Sequence, residues 1–348
     1  MRICIHGREI GATSPVFVVA ELSANHGRDI EIAKKTIRAA KDAGADAIKV
    51  QTYTADTLTI DCDSDVFRLD SGTIWEGQAL YELYSEAYTP WEWQKELKDY
   101  AESIGLVFFS TPFDKTAVDF LEELGVPAYK VASFEITDIP LIEYIASKGK
   151  PIMISTGIAT LSEIEDAVAA CRRMGNDQIV LLKCTSSYPA KIKDANLRTI
   201  PNLRDTFGVE VGLSDHSLGI VVPIVSVAFG AKVIEKHLIL DEGVGGPDSS
   251  FSLNAQEFSE MVTAVRDAEE ALGKVDYSMT ETKKQSRRLG RSLFVVEDLA
   301  EGEVFTDVNV RSIRPGNGLP PKMLRDVLGK RAARDIRRGT PLSWGLVR

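Results

Sequence analysis

The chain is 348 residues long, 44% hydrophobic and 26% charged, which suits one large globular domain with a smaller one and excludes a disordered polymer. Its formal charge of −10 argues against nucleic acid or an anionic membrane as a partner held by bulk electrostatics, while a locally basic cleft stays open to it. Cys4, Cys62, Cys171 and Cys184 form no CxxC pair, Arg2, His6, Arg8 and Glu9 break any apolar leader, and no apolar run reaches about 18 residues, so a soluble, cytoplasmic protein is expected.

Residues 1–15 read as a hairpin turning at His6–Gly7, placed to close the bottom of a barrel. Beyond them, short β-branched runs alternate with amphipathic stretches. Strands are expected near Val16–Ala20, Ala47–Gln51, Val107–Thr111, Ala128–Ala132, Ile152–Thr156, Ile179–Cys184, Val209–Ser214 and Val233–His237. Asp29 caps a helix with apolar Ala33, Ile37 and Ala40, which Gly44 ends. Thr54–Pro90 is far longer than an ordinary strand-to-helix loop and rich in Tyr, Trp and Gly. It reads either as a substrate lid or as a subunit-contact insertion. Asp114 caps a helix with Ala117, Phe120, Leu121 and Leu124 that stops at Gly125. Thr160 and Glu163 form a capping box ahead of Ile164, Ala167, Val168 and Cys171, with Gly175 as the stop. A last barrel helix is expected near Ala255–Leu272.

Eight β–α units in series, without a Rossmann glycine fingerprint, point to an α/β fold, a closed (β/α)8 TIM barrel over residues 1–275. A doubly wound open sheet is the alternative, although it usually has fewer strands. Residues 276–290, with Lys283, Lys284, Arg287 and Arg288, read as a polar linker. Residues 291–348 hold short runs (Leu293–Val296, Val304–Phe305, Val310–Ile313) broken by Gly and Pro, a small β-rich C-terminal domain of marginal stability alone.

In such a barrel the C-terminal ends of the strands carry the chemistry. Glu21 ends the first, with Asn25 and His26 after it. Lys49 and Gln51 belong to the second, Ser110 and Thr111 to the third, and Lys130, then Ser133 and Glu135, to the fourth. Ser155 and Thr156 end the fifth, and Thr185, Ser186, Ser187 and Tyr188 follow the sixth. Ser214, Asp215 and His216 close the seventh; Glu235, Lys236 and His237 close the eighth. One such residue is as readily a structural pair, but the same pattern on most of the strands is a site.

His216 and His237 end consecutive strands, which lie about 4.8 Å apart. Two imidazoles there can converge on a borderline divalent metal and leave positions for water and substrate oxygens. Lys49 and Lys130, with the hydroxyls of Thr111, Ser133, Ser155 and Ser214, suit a phosphate and a carboxylate. Glu21, Glu135 and Asp248 are the candidate acid–base groups, or else partners that hold a lysine in place. The Gly245-Gly246-Pro247-Asp248 loop is equally readable as a plain turn.

Taken in order, these motifs resemble the sialic acid synthase family over essentially the whole chain. The matching stretches are Glu21-Leu22-Ser23-Ala24-Asn25-His26, Lys49-Val50-Gln51, Ser110-Thr111-Pro112-Phe113-Asp114 and Lys130-Val131-Ala132-Ser133-Phe134-Glu135. Further matches are Ser155-Thr156-Gly157, Cys184-Thr185-Ser186-Ser187-Tyr188-Pro189, Gly212-Leu213-Ser214-Asp215-His216, Ile234-Glu235-Lys236-His237 and Gly246-Pro247-Asp248. The tail, Arg311-Ser312-Ile313-Arg314-Pro315-Gly316, is similar to the family's antifreeze-like (SAF) domain.

The resemblance implies a barrel enzyme, a transferase condensing phosphoenolpyruvate with an acylated amino-sugar aldehyde, in a domain-swapped homodimer. It implies that His216 and His237 hold Mn²⁺, with Mg²⁺ or Co²⁺ as alternatives. Lys49, Thr111, Lys130, Ser133, Ser155 and Ser214 would bind phosphoenolpyruvate. Glu21, Tyr188 and Asp248, with Gln51 and Ser186, would meet the sugar, joined by Arg314 of the partner subunit. Glu135 would help water add during the reaction. The Glu-Leu-Ser-Ala-Asn-His motif, the Tyr88–Trp93 run and Phe251-Ser252-Leu253 are most similar to the pseudaminic branch, which implies 2,4-diacetamido-2,4,6-trideoxy-L-altrose as the sugar; the neuraminate and legionaminate branches are the alternatives.

Two rivals remain. A Schiff-base aldolase would use Lys130 or Lys236 on pyruvate. A non-catalytic ice- or sugar-binding protein fits poorly with a tail that carries Arg311, Arg314, Arg331, Arg334, Arg337 and Arg338.

Overall fold

The computed structural model describes residues 3–69 and 74–348; residues 1–2 of the expected hairpin and 70–73 of the long insertion lie outside the described residues. The chain divides into two compact units, Met1–Gly273 and Lys274–Arg348. In the first unit, β1 (Ile3–Ile5) and β2 (Arg8–Ile10) pair antiparallel, with Ile3 opposite Ile10. Their turn needs two positive φ angles, and His6 (48°) and Gly7 (80°) supply them. Ile3, Ile5 and Ile10 are buried in one cluster with the inward side chains of the barrel's lower half, such as Phe17, Val19, Met153 and Val180. The hairpin is the barrel's floor.

Eight parallel strands form the wall: β3 (Phe17–Glu21), β4 (Ala47–Thr52), β5 (Val107–Pro112), β6 (Tyr129–Val131), β7 (Ile152–Ser155), β8 (Ile179–Cys184), β9 (Glu210–Asp215) and β10 (Val233–His237). Each pairs with the next, and β10 closes on β3 with His237 opposite Glu21. Because both faces of each strand are covered, the strands read as near-continuous apolar runs. Alternate residues serve two cores: Val18 and Ala20 face the helices, Phe17 and Val19 the interior.

The helices in chain order are α1 (Ile30–Asp42), α2 (Ala55–Leu58), α3 (Leu80–Ala87), α4 (Trp91–Ser103), α5 (Lys115–Leu124), α6 (Ile139–Ala146), α7 (Leu161–Arg173), α8 (Thr199–Phe207), α9 (Val221–Ala228) and α10 (Ala255–Leu272). The caps read from the sequence are in place. Asp29 accepts from the Glu31 amide, Asp114 from those of Thr116 and Ala117, and Thr160 pairs reciprocally with Glu163. Asn254 and Glu257 add a further capping box at α10. The Thr54–Pro90 stretch is not a bare loop: α2, a 3-10 turn at Asp65–Phe67 and α3 occupy it.

The second unit begins at Lys274, two residues before the expected linker, and that stretch here contains α11 (Glu281–Arg287), capped by Thr280. Strands β11 (Ser292–Val295) and β12 (Val310–Ile313) pair antiparallel, followed by a 3-10 turn at Pro321–Met323, the short α12 (Leu324–Val327) and a 3-10 turn at Trp344–Leu346. Leu293, Val295, Phe305, Val310, Val327 and Leu342 are at the centre of its own small core. Among the described residues, no helix is long and apolar enough to cross a membrane.

Candidate active site

The C-terminal rims of the strands open into one cavity of about 520 Å³. Fourteen of the fifteen residues singled out as site candidates line it: Glu21, Lys49, Gln51, Thr111, Lys130, Ser133, Glu135, Ser155, Ser186, Tyr188, Ser214, His216, His237 and Asp248. The fifteenth, Arg314, is an exposed residue of the second unit.

Strand parity decides which side chains arrive. On β10, Glu235 and His237 line the cavity, whereas Lys236 between them is fully buried elsewhere. Its ammonium lies 2.6 Å from Asp215 Oδ2 and donates to the Ser217 carbonyl. Lys236 is a structural ion pair.

Lys49 on β4 is the hub of the floor. Its Nζ lies 2.7 Å from Glu21 Oε2 and 3.6 Å from Glu235 Oε1, and it donates to Thr111 Oγ1 at 3.1 Å. Lys130 on β6 lies 3.9 Å from the same Glu235 oxygen, which also accepts from Ser214 Oγ at 3.0 Å. Gln51 donates to both Glu21 Oε1 and Ser23 Oγ. Burial favours the neutral form of every member, and the partners decide the outcome. Burial raises Glu21, and Lys49 only partly offsets it. Burial would lower Lys49, but Glu21 and Glu235 outweigh it and its pKa rises. Burial lowers Lys130 despite Glu235, while burial of Glu235 is overcome by Lys130 and Lys49, so its carboxyl stays below the usual range.

The imidazole wall stands beside this floor. The rings of His216 and His237 are 5.3 Å apart between centroids. His216 Nδ1 lies 3.1 Å from the Thr185 carbonyl, which can only accept, so in the neutral ring the lone pair is on Nε2. His237 Nδ1 is buried without a hydrogen-bond partner, with Asp248 Oδ2 at 3.7 Å. Burial, and then His216, hold His237 well below the ordinary imidazole value, so this ring is neutral. Burial works against charge on His216 too, but Cys184, 3.8 Å away, and the Thr185 carbonyl outweigh it. Two adjacent rings, His237 neutral and His216 able to offer Nε2 once a cation displaces its proton, fit a borderline divalent ion. Among the described residues no three His, Cys, Asp or Glu side chains form a ligand cluster, so water and substrate would complete the shell.

Glu135 also lines the cavity; its Oε2 is buried without a partner and burial pushes its carboxyl up to about 7. Ser133 and Ser186 share a hydrogen bond of 2.5 Å. Gly157 makes that contact possible, since a Cβ there would come within 2.0 Å of Ser186 Oγ and 3.1 Å of Cys184 Sγ. Tyr188 packs between Trp75, His216 and Phe251, and Trp75 Nε1 donates to the Pro247 carbonyl. The insertion after β4 therefore reaches across to the loop after β10 and roofs the cavity. Its Leu58, Leu69, Leu80, Leu83, Tyr84 and Ala87 line it.

Sequence reasoning noted Glu235 at a strand end but left it out of the site. Its parity with His237, two residues on, is the signal that places it there. His26 is buried outside the cavity, edge-on to Trp93 at 5.7 Å.

Residues 36–277 match the NeuB family, and residues 290–348 match the SAF domain. The chain belongs to the NeuB family. It is 47% identical over 330 residues to the pseudaminic acid synthase of Campylobacter jejuni, covering 95% of this chain and 96% of that protein. It is 45% identical to the pseudaminic acid synthase of Helicobacter pylori, covering 94% and 97%. Among solved structures, the N-acetylneuraminic acid synthetase of Leptospira borgpetersenii superposes with a TM-score of 0.73 at 32% identity, covering 82% of this chain and 95% of that one. The closed barrel and the small C-terminal domain of this NeuB-family chain are thus shared with known relatives.

Proposed function

We propose that this NeuB-family chain is a pseudaminic acid synthase, a transferase that joins phosphoenolpyruvate to 2,4-diacetamido-2,4,6-trideoxy-L-altrose and releases phosphate. The observation that carries the reading is a single cavity in which Lys49 and Lys130, sharing Glu235, face the paired rings of His216 and His237. The identity of 45% and 47% to two pseudaminic acid synthases supports the branch.

In this reading Lys49 and Lys130, with the hydroxyls of Thr111, Ser133, Ser155 and Ser214, hold the phosphate and carboxylate of phosphoenolpyruvate. Ser155 Oγ is buried and unpartnered, a hydrogen-bonding group held in reserve for a ligand. Glu21, Gln51, Ser186, Tyr188 and Asp248 orient the sugar. His216 and His237 would hold a divalent ion, Mn²⁺ with Mg²⁺ or Co²⁺ as alternatives, which supplies Lewis-acid activation of a carbonyl oxygen when bound. The π pair of phosphoenolpyruvate forms the new C–C bond from its methylene carbon to the aldehyde carbon. The C=O π bond opens, and the aldehyde oxygen takes a proton from Glu21, whose carboxyl burial raises, to become a hydroxyl. Positive charge is left on the carbon bearing the phosphate. Glu135 takes a proton from the water that adds there, and the tetrahedral centre collapses with C–O cleavage to phosphate and a nine-carbon 2-keto acid. A cytoplasmic homodimer in which Arg314 of the partner subunit meets the sugar belongs to the same proposal.

The test is phosphate release from phosphoenolpyruvate against a panel of acylated hexoses, with and without Mn²⁺. Preference for the trideoxy altrose sugar supports the reading. Preference for N-acetylmannosamine moves the chain to the neuraminate branch, and preference for its diacetamido trideoxy relative to the legionaminate branch. One observation favours a second chemistry: burial lowers Lys130, which suits a Schiff-base amine, whereas Lys236 is tied to Asp215 outside the cavity. Borohydride added with pyruvate would trap that adduct and leave a condensing synthase unmodified.

A further inference from the structure

The part of the cavity built by the insertion after β4 differs in kind from the rest. Leu58, Leu69, Leu80, Leu83 and Ala87 present only hydrocarbon there, and no charged side chain of the insertion lines the cavity among the described residues. Two aromatic side chains complete this wall without adding much polarity. The Trp75 indole N–H is used by the Pro247 carbonyl at 3.2 Å, and Tyr84 packs edge-on against Tyr53 at 5.9 Å, which packs on Phe113 at 5.1 Å. The ionisable groups of the site, by contrast, come from the barrel: Glu21, Lys49, Lys130, Glu235 and His237 from the strands, and Glu135, His216 and Asp248 from the segments that follow β6, β9 and β10. The insertion therefore gives the cavity a hydrocarbon pole, and the two lysines with their carboxyl partners mark the other.

We propose that Leu58, Leu69, Leu80, Leu83 and Tyr84 form an apolar subsite that selects deoxygenated, acylated sugars by taking up their methyl groups. This rests on the synthase reading and deepens it. With phosphoenolpyruvate on the lysine pole, the sugar's reacting aldehyde must face the same pole, so its far end meets the insertion. A hexose with hydroxyls at those positions would bury them against Leu side chains that offer no hydrogen bond, whereas a deoxy carbon or an acetamido methyl loses nothing there. An apolar wall of this type rejects an analogue that adds a hydroxyl by at most about 100-fold in kcat/KM.

The experiment uses the full-length protein with phosphoenolpyruvate and Mn²⁺, and reads phosphate release with the diacetamido trideoxy sugar and with N-acetylmannosamine. Leu80 and Leu58 are half-buried and are replaced singly by Asn. The expected result is a fall of about tenfold or more in the kcat/KM ratio of the two sugars, carried by the KM of the trideoxy sugar, with the KM of phosphoenolpyruvate within about twofold of wild type. Leu80→Met, still apolar and of similar volume, keeps the ratio within about threefold. Calorimetry of the trideoxy sugar alone gives a second readout: its negative heat-capacity change shrinks in both Asn variants. If one Asn variant does not fold, the other decides. A ratio and heat capacity unmoved in a folded Asn variant, or both sugars weakened equally, overturns the subsite while the synthase reading stands. Wild-type protein that turns over neither sugar overturns both.

Discussion

Glu135→Gln separates what this carboxyl costs the fold from what it gives the reaction. Burial raises its pKa from 4.5 to about 7, and its Oε2 has no hydrogen-bond partner. Below pH 4.5 the folded and unfolded chains both carry the proton, so folding is not opposed by ionisation. As pH rises from 4.5 towards 7 the unfolded chain releases the proton first, and stability falls through that window. At 1.36 kcal/mol per unit, the 2.5 units between 4.5 and about 7 amount to about 3 kcal/mol, a ceiling because the residue is partly exposed. Gln keeps the shape and cannot ionise, so the variant is expected to match wild type near pH 4.5 and to exceed it by up to about 3 kcal/mol near pH 8. Urea unfolding of the barrel, followed at both pH values, measures the difference. The same substitution is expected to lower kcat/KM by about 10²–10⁴-fold and to abolish the fall in kcat/KM on the acid side of pH 7. A stability difference that does not change with pH, or an acid limb that survives in the Gln variant, refutes both the raised carboxyl and its role as base.

Other substitutions test the remaining parts of the site. His237→Ala is expected to keep the fold and lose both Mn²⁺ binding by calorimetry and metal-dependent phosphate release; full turnover of this variant under a chelator refutes the ion site. Lys49→Met removes the floor's hub, and with charge-assisted bonds worth about 1.5–3 kcal/mol each, the KM of phosphoenolpyruvate is expected to rise by about 10- to 150-fold; an unchanged KM removes Lys49 from the anion pocket. Gly157→Ala forces a methyl into the Ser133–Ser186 contact and is expected to cost about 1–3 kcal/mol in stability and to weaken sugar binding, read by unfolding and by KM.

The eight strands were legible because each is buried on both faces, which leaves an unbroken β-branched run in the sequence, and because Asp29, Asp114 and Thr160 announce the helices that follow. Where packing overrides local preference the sequence is silent. α9 reads Val-Val-Pro-Ile-Val-Ser-Val-Ala, β-branched enough to look like a strand, and it is helical where it packs against α10. The insertion's composition suggested a lid or a contact surface. That its leucines line the cavity depends on Trp75 reaching Pro247, 172 residues away, and nothing local encodes that. Lys236 and Glu235 are adjacent and equally polar in the sequence. Only strand register sends one behind the wall to Asp215 and the other between two lysines.

That register has a consequence for how the site binds anions. Lys49 and Lys130 face Glu21 and Glu235, so the two buried cations are matched by two carboxyls before any substrate arrives. No arginine lines the cavity among the described residues, and His237 is held neutral. Phosphoenolpyruvate brings a phosphate and a carboxylate into this balanced set, and at about 4 Å with an effective dielectric of about 20 each uncompensated pair costs about 4 kcal/mol. Compensation has two sources within the site. One is protons, on Glu21, whose carboxyl burial already raises, and on His216, whose partners push it towards charge; the other would be a divalent cation held by His216 and His237 as proposed. If the second dominates, anion binding and metal binding are one linked equilibrium, and each ligand tightens the other by the same factor. The lysine floor and the imidazole wall are then two halves of a single charge-balanced receptor, and the His237→Ala variant should lose affinity for phosphoenolpyruvate as well as for Mn²⁺.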